Sequence, residues 1–164
     1  MKAFMQMDPT PLTLRPIGRD ELPDLLALYA HLHVADESLP DPHVVEAIWQ
    51  QLLADPLSHY VGAYADGRLV ASCVLTVVAN LTRGCRPYGV VENVVTHADF
   101  RQRGCGKAVL QRALAIAWEQ RCYKVMLMTG RKDEATLRFY EGAGFERGEK
   151  QALIAKPPAQ SAQA

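Results

Sequence analysis

The sequence predicts a single α/β domain: a mixed central sheet of about six to seven strands, flanked by about four helices. Three observations carry that expectation. The apolar period changes along the chain from helical, over residues 22–53, to β-rich, over residues 60–96. A strand, a long amphipathic helix and a short apolar strand then follow in order over residues 88–128, the pattern of a right-handed βαβ unit with its two strands parallel. The chain has 164 residues, enough for one domain that buries roughly 70% of the surface its unfolded form exposes. The domain is expected to cover residues 1–156, with 157–164 (PPAQSAQA) a disordered tail that cannot pack.

Each element has its own signal. Residues 12–17 read as a strand broken by Pro16 and Gly18. Leu22, Leu25, Leu26, Tyr29 and Leu32 fall on one helical face, with Asp20 as the expected N-cap. Asp41 followed by Pro42 is an N-cap with proline at the first helical position, and Val44, Val45, Ile48, Trp49, Leu52 and Leu53 form the apolar face of a second helix. Residues 60–65 and 69–78 are β-rich runs joined by the hairpin signal Asp66-Gly67. Residues 80–87 form a turn, and residues 88–96 (YGVVENVVT) are a third strand with a charged residue, Glu92, at its centre. Val109, Leu110, Ala113, Leu114, Ile116, Ala117 and Trp118 mark the apolar face of a helix over 100–121. Residues 124–128 (KVMLM) are a short buried strand. Residues 134–141 are a short helix with Gly142 and Gly144 as C-cap candidates, and a last β segment follows Phe145, clearest over 151–156.

Eighteen basic side chains cancel eighteen acidic ones, so no global field draws in nucleic acid or an anionic membrane. The first residues lack the apolar core of a secretory signal, and the longest apolar run, LVASCVLTVV, is too short and too polar for a membrane span. A cytoplasmic protein is expected. Cys73, Cys85, Cys105 and Cys122 contain no C-x-x-C pair and read as reduced thiols. His31 and His33, two apart, would face different sides of a helix and have no third ligand at a recognisable spacing, so no metal is expected.

The most informative stretch is residues 100–107 (FRQRGCGK), between a strand and a long helix. Gly104 and Gly106 let a backbone approach a ligand closely. Free N–H groups at a helix start, together with Arg101, Arg103 and Lys107, make an anion site suited to a phosphate or pyrophosphate. A Walker A loop would need glycine at Arg101 and Ser or Thr at Ala108, and a dinucleotide fingerprint would need glycine at Val109. Neither fits. R-x-x-G-x-G, from Arg101 to Gly106, does match a known pattern: it resembles the pyrophosphate loop of the GNAT superfamily of acetyl-CoA-dependent N-acetyltransferases. Its context agrees, with VENVVTHADF before the loop, a long helix and KVMLM after it, and then residues 137–145 (LRFYEGAGF), similar to the family's FYE-x-x-GF signature. Residues 122–125 (CYKV) and 91–93 (VEN) are locally similar to glucosamine-6-phosphate N-acetyltransferases. Residues 128–133 (MTGRKD) depart from the acidic, asparagine-bearing stretch of that group.

The resemblance implies a GNAT fold with a βαβ cofactor-binding core and acetyl-CoA as co-substrate. It implies that the backbone of Val94, Val95 and Thr96 pairs with the pantetheine arm, and that Arg101, Gln102, Arg103, Gly104, Cys105, Gly106 and Lys107 hold the pyrophosphate. Asp133 stands near a position where family members contact the cofactor. Tyr140 takes the general-acid position, protonating the leaving thiolate. Glu92 is the base candidate, or a carboxylate that only binds the acceptor's ammonium. Asn93, its neighbour, would project to the opposite face unless a bulge brings both to the cleft. The first-to-second helix region nominates His31, His33, Asp36 and Glu37 as acceptor residues, and Arg83 and Arg86 could meet an acidic part of the acceptor. The expected reaction is direct attack by a primary amine of a small molecule, with no covalent step through Cys105. A protein N-terminus or lysine as acceptor, and a non-catalytic acyl-CoA sensor, are the alternatives. Family members are often dimers, which makes a homodimer a candidate assembly.

Overall fold

The structure, a computed structural model, describes residues 11–33 and 35–158. Its frame is a five-stranded sheet in the order β1-β2-β3-β4-β5, with β1 Leu12–Pro16, β2 Ser58–Ala65, β3 Arg68–Val78, β4 Tyr88–Thr96 and β5 Val125–Leu127. Successive strands are antiparallel as far as β4, while β5 lies parallel to β4. That one parallel pair is the expected consequence of the crossover helix α4, Cys105–Glu119, between them.

Helices cover both faces, so each face has its own core. Val61, Ala63, Cys73, Leu75 and Val91 of the sheet meet Val109, Leu110, Ala113 and Ala117 of α4, and Ala143 of α5, Glu134–Ala143, joins them. On the opposite face, Tyr64, Leu69 and Val95 pack against Leu25 and Leu28 of α1, Leu22–Tyr29, and Trp49 of α2, Pro42–Ala54. Burying a leucine such as Leu110 completely is worth about 2–3 kcal/mol, so these two layers hold the sheet between them.

Local sequence explains most helix starts. The Asp41 carboxylate accepts the His43 N–H at 2.8 Å, with Pro42 beginning α2. Asp20 does not cap α1. A 3-10 turn over Arg19–Glu21 precedes it, and Glu21 instead pairs with Arg15 at 2.7 Å and accepts the Gly18 N–H. The long helix begins at Cys105, later than expected, because a 3-10 turn, Ala98–Phe100, and the glycine loop occupy the preceding residues. A four-residue helical piece, α3 Thr82–Cys85, lies in the β3–β4 connection.

The sheet is smaller than expected, with five strands among the described residues, and the helices number five. Residues 151–156 form no strand. Leu153 is 93% and Ile154 76% exposed, because β-prone composition makes a strand only where a ladder partner exists. Of the expected tail, Pro157 and Pro158 are exposed and irregular, and 159–164 lie outside the described residues, as do 1–10 at the start of the expected domain.

Candidate active site

The site begins with a defect in β4. The β3–β4 register shifts between Ser72 and Val74, opposite Asn93, whose φ of 51° is left-handed. Asparagine tolerates that conformation better than most residues. The extra residue resets the alternation, so Val91 and Val94 both pack on the α4 side while Glu92 and Asn93 are both exposed. The bulge thus leaves the two polar side chains adjacent and both exposed. β5 pairs only with Gly89, Val90 and Val91, so from Glu92 to Thr96 the β5-side edge of β4 is unpaired.

Tyr140 comes from α5 and packs against the α4-side core. Its ring lies edge-on to Phe139 at 5.0 Å and to Phe145 at 6.4 Å, which fixes its orientation. Burial pushes its hydroxyl above the ordinary phenol value, the Arg131 cation opposes that, and the Glu92 carboxylate adds to it. Glu92 and Tyr140 therefore lie within electrostatic reach of each other although far apart in sequence. Arg131 was not among the residues singled out from sequence. Its only signal was a basic residue just after β5.

The glycine loop divides its labour. Gly104, φ 81°, is the N-cap of α4 and brings no side chain to its first-turn N–H groups, which leaves them for a ligand. Gln102, φ 60°, also turns the chain left-handed. Gly106 serves packing: a Cβ there would meet the Thr96 Oγ1 at 2.9 Å and the Phe139 ring at 3.0 Å. Cys105 is buried, with burial raising its thiol pKa, so it offers a ligand only its backbone. Arg101, though exposed, donates to the His31 carbonyl at 3.2 Å and the Thr96 carbonyl at 3.4 Å, and ties the loop to the end of α1. Arg103, 5.2 Å over the Phe100 ring, and Lys107 are exposed cations beside the helix start without a carbonyl partner of that kind. Asp133 is occupied as the N-cap of α5, accepting the Thr136 N–H and hydroxyl at 2.9 Å each. Those two bonds lower its pKa.

Among the described residues no ion pair joins Glu92 to His31, His33, Arg83 or Arg86. His31 packs on His97 at 4.2 Å, in a recess of about 410 Å³ lined by Asp24, Asp66 and Arg68. His33, Asp36 and Glu37 lie on the exposed connection between α1 and α2, where Asp36 accepts the Glu37 N–H at 2.8 Å. Arg83 and Arg86 sit at the other end of β4 against Tyr123. Near Asn93 stands a residue that the sequence marked only as apolar. Tyr29 has its hydroxyl enclosed without a partner among the described residues, its pKa raised by burial and by nearby Tyr60, while the Asn93 side chain lowers it. Among those residues no group of three or more His, Cys, Asp or Glu is placed to hold a metal.

A sheet whose fourth strand is bulged and runs on beyond its pairing with the fifth, with a glycine-capped helix start after it, makes an α/β domain with a free strand edge and uncapped helix N–H groups. The chain belongs to the acetyltransferase (GNAT) family, whose model matches residues 22–145. It is 39% identical over 85 residues to a glucosamine 6-phosphate N-acetyltransferase of Trypanosoma brucei brucei, covering 52% of this chain and 56% of that protein, so the match spans about half of that relative's length. A probable glucosamine 6-phosphate N-acetyltransferase 2 of Oryza sativa is 35% identical over 133 residues, 80% of this chain and 72% of that one. The N-alpha-acetyltransferase RimI of Mycobacterium tuberculosis is 29% identical over 143 residues, 87% and 84% of the two chains. Among solved structures, a putative acetyltransferase from Agrobacterium tumefaciens superposes with a TM-score of 0.81 at 40% identity, covering 88% of this chain and 99% of that one.

Proposed function

We propose that this chain moves the acetyl group of acetyl-CoA to a primary amine by direct attack in a ternary complex. The observation that supports the reading is that Glu92, beside the free edge of β4, lies within electrostatic reach of Tyr140. The residues present fit the co-substrate: the free edge of Val94, Val95 and Thr96 suits an amide-bearing arm, and the uncapped start of α4 with Arg103 and Lys107 suits a pyrophosphate. Acetyl-CoA supplies an acetyl group activated as a thioester.

The chain's residues supply the rest. Glu92 takes the proton from the acceptor's ammonium, freeing the lone pair that forms the new C–N bond. A backbone N–H at Val94 or Val95 donates to the acetyl oxygen as charge gathers there. Tyr140, held protonated by its burial, gives its proton to the sulfur as the C–S bond breaks, so free CoA leaves as a thiol. A second proton leaves the nitrogen for solvent as the tetrahedral intermediate collapses to the amide; one of the two restores Tyr140 and the other is released, so that ammonium and thioester give amide, thiol and one proton.

A small-molecule amine is the favoured acceptor, and hexosamine phosphate is a candidate from the names of the trypanosomal and rice relatives. A protein N-terminus is the second candidate, from the mycobacterial relative. The test is CoA thiol release across an amine panel including glucosamine 6-phosphate and short peptides. Tyr140→Phe and Glu92→Gln should each lower kcat/KM by about 100-fold. Acetyl-CoA binding without thiol release from any amine would mark a sensor, and both variants remaining within about threefold of wild type, roughly 0.7 kcal/mol, would refute the assigned roles.

A further inference from the structure

His97 follows β4 directly and begins the turn that carries the glycine loop, and its half-buried imidazole is held from three elements. Its N–H donates to the Val70 carbonyl at 2.8 Å, and the Phe100 N–H returns to the His97 carbonyl at 2.9 Å, which closes the turn before Arg101. On the ring, the Arg68 guanidinium at the start of β3 lies 2.6 Å from Nε2, while Nδ1 stands 3.2 Å from the Asp99 N–H and 3.8 Å from the Asp99 carboxylate. His31, just beyond α1, packs on it at 4.2 Å, and Phe100 meets it edge-on at 5.8 Å. Phe100 in turn has the Arg68 and Arg103 guanidiniums 5.8 and 5.2 Å from its ring centre. The imidazole thus joins β3 and the end of α1 to the loop, through Phe100 as far as Arg103.

These contacts need an uncharged ring. A guanidinium only donates, so it bonds Nε2 only where that nitrogen is bare, and the Asp99 N–H bonds Nδ1 only where that one is bare. A neutral imidazole satisfies one of the two. An imidazolium satisfies neither and sets a second cation 2.6 Å from Arg68. The surroundings oppose that charge: burial, Arg68 and His31 lower the ring's pKa, the Asp99 carboxylate raises it, and Arg101 lowers it again. Asp24 of α1 and Asp66 of the β2–β3 turn line the same recess, and neither forms an ion pair with the ring among the described residues. Because α1 and α4 cover opposite faces of the sheet, the ring sits on the α1 side while the uncapped N–H groups belong to α4. A charge on His97 therefore reaches the loop through Arg68, Phe100 and Arg103 rather than by touching a phosphate.

We propose that His97 is a positioning residue for the co-substrate loop and makes the loop's grip depend on acidity: the neutral imidazole holds Arg68 against Phe100 and so fixes Arg103, whereas the imidazolium expels Arg68, loosens residues 98–103 and weakens the binding of CoA. The inference rests on the acetyl-transfer reading and adds to it a control by pH. Linkage sets the reverse effect: if protonation disfavours the ligand, the ligand must disfavour protonation by the same factor.

The test is calorimetric titration with CoA between about pH 7.5 and 5.5, a range that brackets the ordinary imidazole value, for the wild type, His97→Gln and Arg68→Gln. The first variant keeps an acceptor for Arg68 but does not titrate, and the second leaves an imidazolium no guanidinium in contact. The phosphate monoester of CoA titrates in the same range, but equally for all three proteins, so it cancels in the comparison. On acidification, wild-type affinity should fall about fivefold or more beyond the fall in either variant. By NMR, CoA should move the His97 transition, identified by its absence in His97→Gln, to lower pH. A wild-type profile parallel to that of either variant overturns the proposal, as does a relative gain of affinity in acid or a His97 transition that CoA leaves in place. If CoA binds at no pH, the acetyl-transfer reading fails by itself. NMR titration of the free protein then decides the lock: a His97 transition that shifts the Arg103 and Gly104 amides supports it, and one that leaves them unmoved, or no transition above about pH 5, overturns it.

Discussion

Two glycines of one loop should fail for different physical reasons when given a side chain. At Gly106, near the start of α4, alanine gains helix propensity and loses backbone freedom when unfolded, which favours the variant by about 0.5–1 kcal/mol. Against that, its Cβ would meet Thr96 Oγ1 at 2.9 Å and the Phe139 ring at 3.0 Å, and the β-branched Thr96 has few rotamers to retreat into. Overpacking of this kind costs about 1–3 kcal/mol, so the net expectation is a loss of about 1–2 kcal/mol, or roughly 2–8 °C in melting temperature for a chain of this size. Removing the hydroxyl should relieve much of it, so Gly106→Ala made in a Thr96→Ala background should cost less than half as much. At Gly104 no atom lies within 4 Å of a Cβ, and the cost of alanine is that of φ 81° alone, about 1 kcal/mol, independent of Thr96. Thermal melts of the wild type, both alanine variants and the double variants measure these terms, with acetyl-CoA titrations of Gly104→Val reading whether the ligand needs that open side. Equal costs of Gly106→Ala in both backgrounds would refute the packing account, and unaltered acetyl-CoA affinity in Gly104→Val would refute the ligand account.

The remaining expectations concern stability. Arg15 and the Gly18 N–H hold the Glu21 carboxyl at about 2, so its stabilising share is complete above the ordinary carboxylate range and is lost as the pH falls toward 2. Because the pair's side chains are 44% and 22% exposed, solvent screening cuts that share to about 1 kcal/mol, and Glu21→Gln should melt a few degrees lower at pH 7 but match the wild type near pH 2. Leu110→Ala, at a fully buried position between α4 and the sheet, should cost about 2–5 kcal/mol in urea unfolding, whereas Leu153→Ala, at a 93% exposed position, should stay within about 0.5 kcal/mol.

Much of the frame was legible because its signals are local. Asp41-Pro42 announces a helix start, Asp66-Gly67 a hairpin, and the apolar stripe of α4 needs no knowledge of what it packs against. Failures fell where a local signal needed a partner. Asp20 has the chemistry of an N-cap, but Glu21 won the turn because Arg15, in a different element, was placed to hold it. Residues 151–156 have strand composition, yet composition cannot supply a neighbour's ladder. In the site, the loop glycines were visible as a pattern, while their separate duties depended on whether Phe139 and Thr96 stood opposite.

What the sequence determined by itself is the chemistry available: a mid-strand acid, a tyrosine on a short helix, and glycines with exposed cations at a helix start. Only the tertiary structure decided which of these residues meet. The bulge at Asn93 leaves Glu92 and Asn93 both exposed, the short parallel β5 leaves the edge of β4 free, and Arg101 is spent on the His31 and Thr96 carbonyls while Arg83 and Arg86 gather at the far end of the same strand. Side-chain type is a property of the chain, but direction and neighbours are set by register and packing, and those depend on elements that the local sequence does not contain.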